Sequence, residues 1–582
     1  MGWSHCSEIW PGRSPAYSCH RDAAKQFFVT SYNAYKGFAF GHDDLAPVSE
    51  TLSDGRNGWV ASIVDAMVRL YASSSMWFSQ DIFEEATNFS SKIDFSKSQT
   101  SDTTTIRYVG GLLSSYELSG KKYPALVAKA QALADKMTFA WIGDNAVPFG
   151  YMDFSTNTPT IATASHCFLH QVLCILIAPN PSYLNSHKFV LPRGRSLASP
   201  LTGAVFLGLA AQGIDPASGE SIGGYVTWGG GSDSYLEYML KYARLTNTDD
   251  PIYIDTWKTA VDSSIRRCSR HTSTVGEHRY LADYDGADGK IRHVGSHLAC
   301  CLAGNWLIGI VIPCIGRRTQ LNGSNRGKLL KNQTIVDIAL ELNDGCWANL
   351  SSSGTDSTGI GPEAFAYISS DGNFTGGNGI SADQLVFYKK HGFYITTSYY
   401  IMRPEVLESD FQAWRITGHT KYLDRAASAI ASFNKHLPAT VAFAALNDVD
   451  SLDGELIDDM QSFWFAEVLK YLYLTFDDPE HVSLDNYVFN TDCQPFEAPP
   501  ALDSYAGSGK LVPAKPFIVQ SGPPLPAISP NAYVPRKESG SSMNCFCAVT
   551  IRWDNMPACG CLKTACLKRR KSSISSESQL ER

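Results

Sequence analysis

The segment YYIMRPEVLESDFQAWRITG, residues 399–418, places Glu405 and Glu408 directly after Arg403-Pro404. Residues three apart share one face of a helix, so both carboxylates would project the same way. Pro suits a first helical position, and acids in a first turn offset the positive end of the helix dipole. Alone, then, the pattern is an ordinary helix start, but the same helix end can hold a carboxylate for acid or base work. Three further acidic spots occur. Asp233 and Glu237 stand four apart in WGGGSDSYLEYML (228–240), again on one helical face. Glu363 follows Gly-Ile-Gly-Pro in STGIGPEAF, another acid beside Pro where a helix is expected to begin. His42, Asp43 and Asp44 follow the helical stretch VTSYNAYKGFAFG (29–41). Each taken singly reads as a capping or solvated group. Several acids at helix starts, facing one end of a helical ring, would form a cleft where a carboxylic acid and a carboxylate flank a glycosidic bond.

Other chemistries find less support. No G-x-S-x-G nucleophile elbow occurs, and the 14 histidines show no H-E-x-x-H zinc spacing. The glycines before Asp233 are followed by no Gly-Lys-Ser/Thr, which argues against a phosphate cradle. A net charge of −8 speaks against a nucleic-acid partner. Paired C-x-C elements near the end of the chain lack an accompanying His.

The elements that must position these acids are mostly helices. Apolar residues recur at i, i+3, i+4 and i+7 in WVASIVDAMVRLYA (59–72), DSYLEYMLKYARL (233–245), YIDTWKTAVDSSIRRC (253–268) and SFWFAEVLKYLYLTF (462–476). A loose repeat also emerges, in which a helix ends in a small polar turn and a Tyr opens the next. It is seen in 116–137, 242–265 and 414–437. Such pairs cannot bury their faces alone, and closing them into a ring supplies one shared core. The expectation is an all-α protein, an α/α toroid, with a helical solenoid as the alternative. Hydrophobic residues at 44% and aromatics at 12% suffice for a large core. The domain limits expected are a poorly patterned segment 1–24, a helical domain 25–498 with irregular inserts near 163–205 and 310–327, and a Pro/Ser-rich, Cys-containing disordered tail 499–582.

The start of the chain shows no apolar signal-peptide core. The uncharged run LACCLAGNWLIGIVIPCIG (298–316) is broken by Asn305, glycines and Pro313, which favours a buried helix followed by a loop over a membrane span. Of 15 cysteines, Cys300 and Cys346 lie in well-patterned segments and are the better candidates for a disulfide. Five Asn-X-Ser/Thr triplets, at Asn88, Asn322, Asn332, Asn349 and Asn373, lend weak support to a secretory route.

Taken in order, these motifs resemble family 47 of the glycoside hydrolases, the class I α-1,2-mannosidases that trim N-linked oligomannose. The pieces that carry the resemblance are SYNAYKGFAFGHDDLAPVS, NGWVASIVDA, TTIRYVGGLLSSYELSG, VPFGYMD, GGGSDSYLEYMLKY, HLACCLAGNWLIG, TGIGPEAF, the 399–418 segment, SFWFAEVLKYLYLTF and VFNTDCQP. They span most of residues 30–498. The resemblance implies an (α/α)7 barrel and a Ca²⁺-dependent, inverting exo-α-1,2-mannosidase acting on oligomannose N-glycans in the secretory pathway. A monomer is expected, with membrane association left open for want of a clear anchor. It implies Thr491 as the Ca²⁺-holding residue, Glu405 as general base and Asp233 as an acid-side catalytic group. Glu237, Glu363 and Glu408 would contact sugar or the metal's waters, and Cys300 would pair with Cys346. Gly231 stands where some members carry an Arg that restricts trimming, which implies broader cleavage.

The chain also departs from the family pattern. The Glu expected four residues before Arg107 is Thr103, preceded by Asp102, which becomes the candidate acid if the backbone shifts by one residue. Gln461 replaces an acid, Val68-Arg69 replace Asp-Thr, and Asp492 and Gln494 flank Thr491 in place of Glu and His. The alternative function is therefore an inactive mannosidase-like protein that binds oligomannose. The anomalies cluster at abrupt transitions around 98–103, 163–205 and 310–327, the pattern that translated intron sequence leaves.

Overall fold

A computed structural model describes residues 15–520, apart from 72–79, 97–104, 144–147, 161–207, 269–271, 312–325, 352–357, 370–378 and single positions or short gaps at 210, 219, 504, 506–508 and 512–516. Thirteen α-helices stand among the described residues. They are α1 (Pro15–Phe38), α2 (Ala61–Tyr71), α3 (Gln80–Ser90), α4 (Gly110–Leu118), α5 (Pro124–Met137), α6 (Asp233–Thr246) and α7 (Ile252–Arg267). Then come α8 (Cys301–Val311), α9 (Arg326–Ser351), α10 (Ala382–His391), α11 (Glu405–Thr417), α12 (Lys421–His436) and α13 (Leu469–Phe476).

Their packing is that of a barrel with two layers. Helices α4, α2, α13, α11, α8 and α6 follow one another around an inner ring, with α2 reaching α13 through the π-helical turn Trp464–Val468 that leads into it. Outside them α1 packs on α13, α3 on α2, α5 on α4, α7 on α6, α9 on α8 and α12 on α11. The sequence explains the division. Helices α11 and α13 are buried on every side, from Glu405 to Arg415 and from Leu469 to Phe476. That is the signature of a helix surrounded by others. Outer helix α12 buries one stripe, Tyr422, Leu423, Ala426, Ala427, Ile430 and Phe433, and its Arg425 reaches inward to pair with buried Asp410. Two arginines forced inside donate to backbone: Arg244 to Pro499 O and Asp485 O at 2.7 Å, and Arg415 to Pro479 O at 2.6 Å and Leu474 O at 2.8 Å.

The helix starts that carry acids are set locally. Glu405 is the first residue of α11, so Pro404 occupies the N-cap rather than the first helical position expected for it. The helix ends at Gly418, whose φ of 71° is the left-handed conformation glycine adopts without strain. Glu363 does not open a helix. It leads into the strand Ala364–Ala366, which pairs antiparallel with Val294–Ser296 on one side and Tyr394–Thr397 on the other. These cross-strand hydrogen bonds override the Pro-Glu signal, because sheet pairing is non-local and a three-residue strand leaves no readable alternation.

The described part of the run, 298–311, is a 3-10 turn followed by inner helix α8, and no helix among the described residues is long and apolar enough to cross a membrane. Cys300 and Cys346 form a disulfide with Cα atoms 5.9 Å apart, tying the start of α8 to α9. Residues from 499 were expected to form a disordered tail, yet some of those described, as far as Gln520, are anchored on the barrel while others, such as Leu511 and Ile518, are exposed. Tyr505 is 1% exposed, the Phe517 ring lies 5.1 Å from that of Trp414, and Gln520 N–H donates to Gly418 O at 2.7 Å. Sparse aromatic anchors hold this Pro-rich segment where its bulk composition suggested no packing. Residues 521–582, the insert 163–205 and all but the ends of 310–327 lie outside the described residues.

Candidate active site

Five carboxylates from three places in the chain converge on the inner ring. Asp233, Glu237 and Glu408 line one pocket with Lys241, Cys301 and Gln412, drawn from α6, α8 and α11. Asp233 is the first residue of α6 and accepts from Ser234 N–H at 2.7 Å. Glu237, one turn on, pairs with Lys241. Glu408 accepts from Gln412 Nε2 at 3.0 Å. Glu405 lies one turn before Glu408, and Arg403 joins it to Glu363. The Arg403 Nε donates to both Glu363 oxygens, at 2.8 and 2.6 Å, and its Nη1 stands 3.7 Å from Glu405 Oε1. Glu405 Oε2 is buried without a hydrogen-bond partner.

A hairpin brings Thr491 to the same end. Its strands Tyr487–Phe489 and Pro495–Glu497 pair antiparallel, and the turn between them is held by Asn490. The side chain of Asn490 donates to Ile106 O at 2.9 Å and accepts from Gln494 N–H at 2.8 Å. A Cβ on Gly110 would stand 2.5 Å from Asn490 Nδ2, so glycine there lets the turn sit against α4. Thr491 is half-buried, and its N–H donates to the hydroxyl of Tyr238 on α6 at 3.2 Å. The next residue, Asp492, faces Arg107 at 3.5 Å, and Arg107 Nε donates to Asp65 Oδ2 at 2.8 Å.

Two charged groups, Arg107 and a further buried acid, Glu467, which interacts with Asp492, Glu405 and Glu408, ride on π-helical turns. Arg107 lies in Thr105–Val109 and Glu467 in Trp464–Val468. Such turns are rare and recur at functional sites, because the extra residue re-aims a side chain.

Burial dominates the electrostatics. It pushes Asp233 up to about 6, against pulls from the Ser234 hydrogen bonds and Arg403. It pushes Glu405 up to about 8, with Arg403 drawing it back and Glu408 and Glu363 raising it further. Burial lifts Glu408 as well, opposed by Lys241. Glu467 is held well above the usual carboxylate range by burial and by Asp492, Glu405 and Glu408. Asp65 rises to about 7 through burial and Asp492. His297, buried near Arg403, falls to about 3 and stays neutral. The site is thus a concentration of acids held part-protonated by enclosure and mutual repulsion.

The structure therefore brings Asp233, Glu237, Glu363, Glu405, Glu408 and Thr491 to one end of the inner ring. Asp102 and Thr103 lie outside the described residues. The His42–Asp44 spot serves the loop instead. Asp43 accepts from Arg56 N–H at 2.7 Å, Gly58 N–H at 2.8 Å and Ala61 N–H at 3.2 Å, capping α2 from a distance. Asp44 pairs with Arg56, which also donates to Gln461. Val68 is buried in α2. Gly231 has φ 92°, so a side chain there would be strained.

The sequence reading missed Arg403, Lys241 and Glu467. Arg403 adjoins Pro404, and Lys241 follows Glu237 by one turn, so both were within reach of the spacing rule. Glu467 is the single acid inside the apolar run SFWFAEVLKY, a signal in its own right.

A family model described as Glycosyl hydrolase family 47 matches residues 27–498. The chain belongs to glycosyl hydrolase family 47. Among its family 47 relatives, a probable mannosyl-oligosaccharide alpha-1,2-mannosidase 1B of Aspergillus clavatus is 32% identical, over 81% of this chain and 92% of that protein. The mannosyl-oligosaccharide alpha-1,2-mannosidase 1B of Emericella nidulans is 30% identical, over 83% of this chain and 96% of that one. The solved alpha-1,2-mannosidase from Trichoderma reesei superposes with a TM-score of 0.70 at 30% identity, covering 83% of this chain and 99% of that structure. The barrel is the (α/α)7 barrel of this family, and the chain is a glycosidase of it.

Proposed function

We propose that this family 47 glycosidase is a Ca²⁺-dependent, inverting exo-α-1,2-mannosidase. Its substrates are terminal α-1,2-linked mannoses of oligomannose N-glycans on glycoproteins in the secretory pathway. The observation that carries the reading is the gathering of Asp233, Glu363 and Glu405 about Arg403, with Glu408 in the pocket of Asp233 and Thr491 held against Tyr238 of α6.

In this scheme Glu405 takes a proton from the attacking water, and Asp233, poised near 6, serves the leaving oxygen. Asp102 is the other candidate for that donor. Arg403 fixes Glu363 and polarises Glu405, while Glu237 and Glu408, held by Lys241, receive sugar hydroxyls. Burial keeps bulk water from the reacting pair and strengthens each of these interactions.

The donors present suit calcium. The family resemblance implies a cation held by the hydroxyl and carbonyl of Thr491 with water and sugar oxygens, and among the described residues no group of three or more His, Cys, Asp or Glu offers a different ligand set. Oxygen donors and a wet shell fit a hard cation, and Glu405, Glu408 and Glu467, each pushed toward its protonated form by burial and neighbouring acids, would ionise more readily beside one. When bound, calcium orients the sugar hydroxyls and offsets the repulsion among these carboxylates.

A second reading, an inactive oligomannose binder, follows from Thr103 at the acid position. Free mannose released from a nine-mannose N-glycan, with and without chelator, separates the two. Release abolished by chelation is expected. Glycan bound in a calcium-dependent way but never cleaved would overturn the enzyme in favour of the binder.

A further inference from the structure

Of the five Asn-X-Ser/Thr triplets in the chain, two have described acceptor side chains, and the structure treats them oppositely. Asn349, in α9, is 7% exposed, and its Oδ1 accepts from the Tyr280 hydroxyl at 2.9 Å. Its Nδ2 is enclosed as well. A sugar attached there would have to occupy the core. Asn88 stands exposed in the last turn of α3, next to Phe89, itself 41% exposed.

We propose that Asn88 is an N-glycan attachment site and that Asn349, despite an equally good triplet, is not. The proposal rests on the secretory route of the function proposed above. The Cys300–Cys346 disulfide is an independent observation in its favour, since structural disulfides form in oxidising compartments. The donor is a polyprenyl-diphosphate-linked oligosaccharide. Asn88 Nδ2 attacks its anomeric carbon, the new C–N bond forms, and the anomeric C–O bond breaks. The lipid diphosphate leaves with the bonding pair, and the amide proton passes to a base of the transferase.

The structure also fixes when this can happen. The Ser90 hydroxyl, which completes the triplet, is fully buried and donates to Met67 Sδ on α2 at 3.2 Å. A transferase must engage that hydroxyl. Attachment at Asn88 therefore precedes the docking of α3 on α2: the growing chain is a substrate and the folded protein is not.

The test is peptide mapping of the full chain recovered from a eukaryotic secretory host, beside Asn88→Gln. A glycan on the Asn88 peptide, none on the Asn349 peptide, and loss of one glycan's mobility shift in Asn88→Gln with unchanged mannose release are expected. An exported, disulfide-bonded chain bare at Asn88, or glycosylated at Asn349, would overturn the proposal while leaving the secretory reading standing. A chain that stays in the cytosol, reduced and unmodified, would overturn both. Chelator-sensitive mannose release from the same sample reports on the enzymatic reading separately. Folded, unglycosylated chain made in bacteria and offered to the transferase with its lipid-linked donor stays unmodified at Asn88; modification there would overturn the order of events.

Discussion

Glu405 answers to two opposed demands. The base role proposed for it asks it to ionise, whereas burial pushes it up to about 8 against an ordinary value of 4.5. Between those two values the folded protein keeps a proton that the unfolded chain has released, so this group lowers stability progressively as pH rises from about 4.5 to about 8. Glu405→Gln removes that cost. In chelator, the variant is expected to match the native chain near the acid end of that window and to exceed it near the alkaline end by about 2–4 kcal/mol. Thermal melts across the window check this, and equal stability at every pH would show Glu405 ionised without penalty. Mannose release by the same variant should fall by a factor of about 100 or more, since a positioned base contributes on that scale. At this scale much of the site was legible. Glu405, Glu408, Asp233 and Glu237 were found by helical spacing, and their roles came from family resemblance. Glu467 escaped because it rides on a π-helical turn, where the 3.6-residue rule no longer tells which way a side chain points.

Among the elements, α11 does most to build the site, and its end is as constrained as its start. Gly418 takes φ 71°, and a Cβ on it would stand 2.0 Å from Ile518 O. Gly418→Ala therefore combines a strained backbone with a collision against the segment that follows the barrel. The expected cost is about 1–3 kcal/mol, together with faster hydrogen exchange at the Gln520 amide, which donates to Gly418 O. Unchanged exchange there would show the 517–520 segment held by other means. The elements legible in advance were those with a long apolar period, such as α6 and α12. The strand after Glu363 was not, because Ala364, Phe365 and Ala366 acquire their state only from partners far off in sequence.

For the molecule as a whole, the family match ends at residue 498, but packing does not. Buried Arg244 spends one of its donors on Pro499 O, and Ala501 and Tyr505 close over the barrel's flank. A chain ended at 498 is expected to lose at least about 2 kcal/mol, because a buried guanidinium loses an acceptor and apolar surface is uncovered. Denaturant unfolding of the two lengths measures it, and identical midpoints would show the segment to be passive. The ring itself was foreseeable from helix pairs that cannot bury their faces alone. The anchoring role of 499–520 was not, since a few aromatic contacts are invisible in a Pro-rich composition.

The two π-helical turns, Thr105–Val109 and Trp464–Val468, each carry a residue beyond what a regular helix would use. Deleting one residue from either would restore regular hydrogen bonding and swing Arg107 or Glu467 by about 100° relative to the helix that follows. Local helix quality and the aim of the charged groups thus pull in opposite directions. A deletion library sorted by heat resistance would enrich chains with tidier helices and misdirected charges, while one sorted by turnover would discard those same chains.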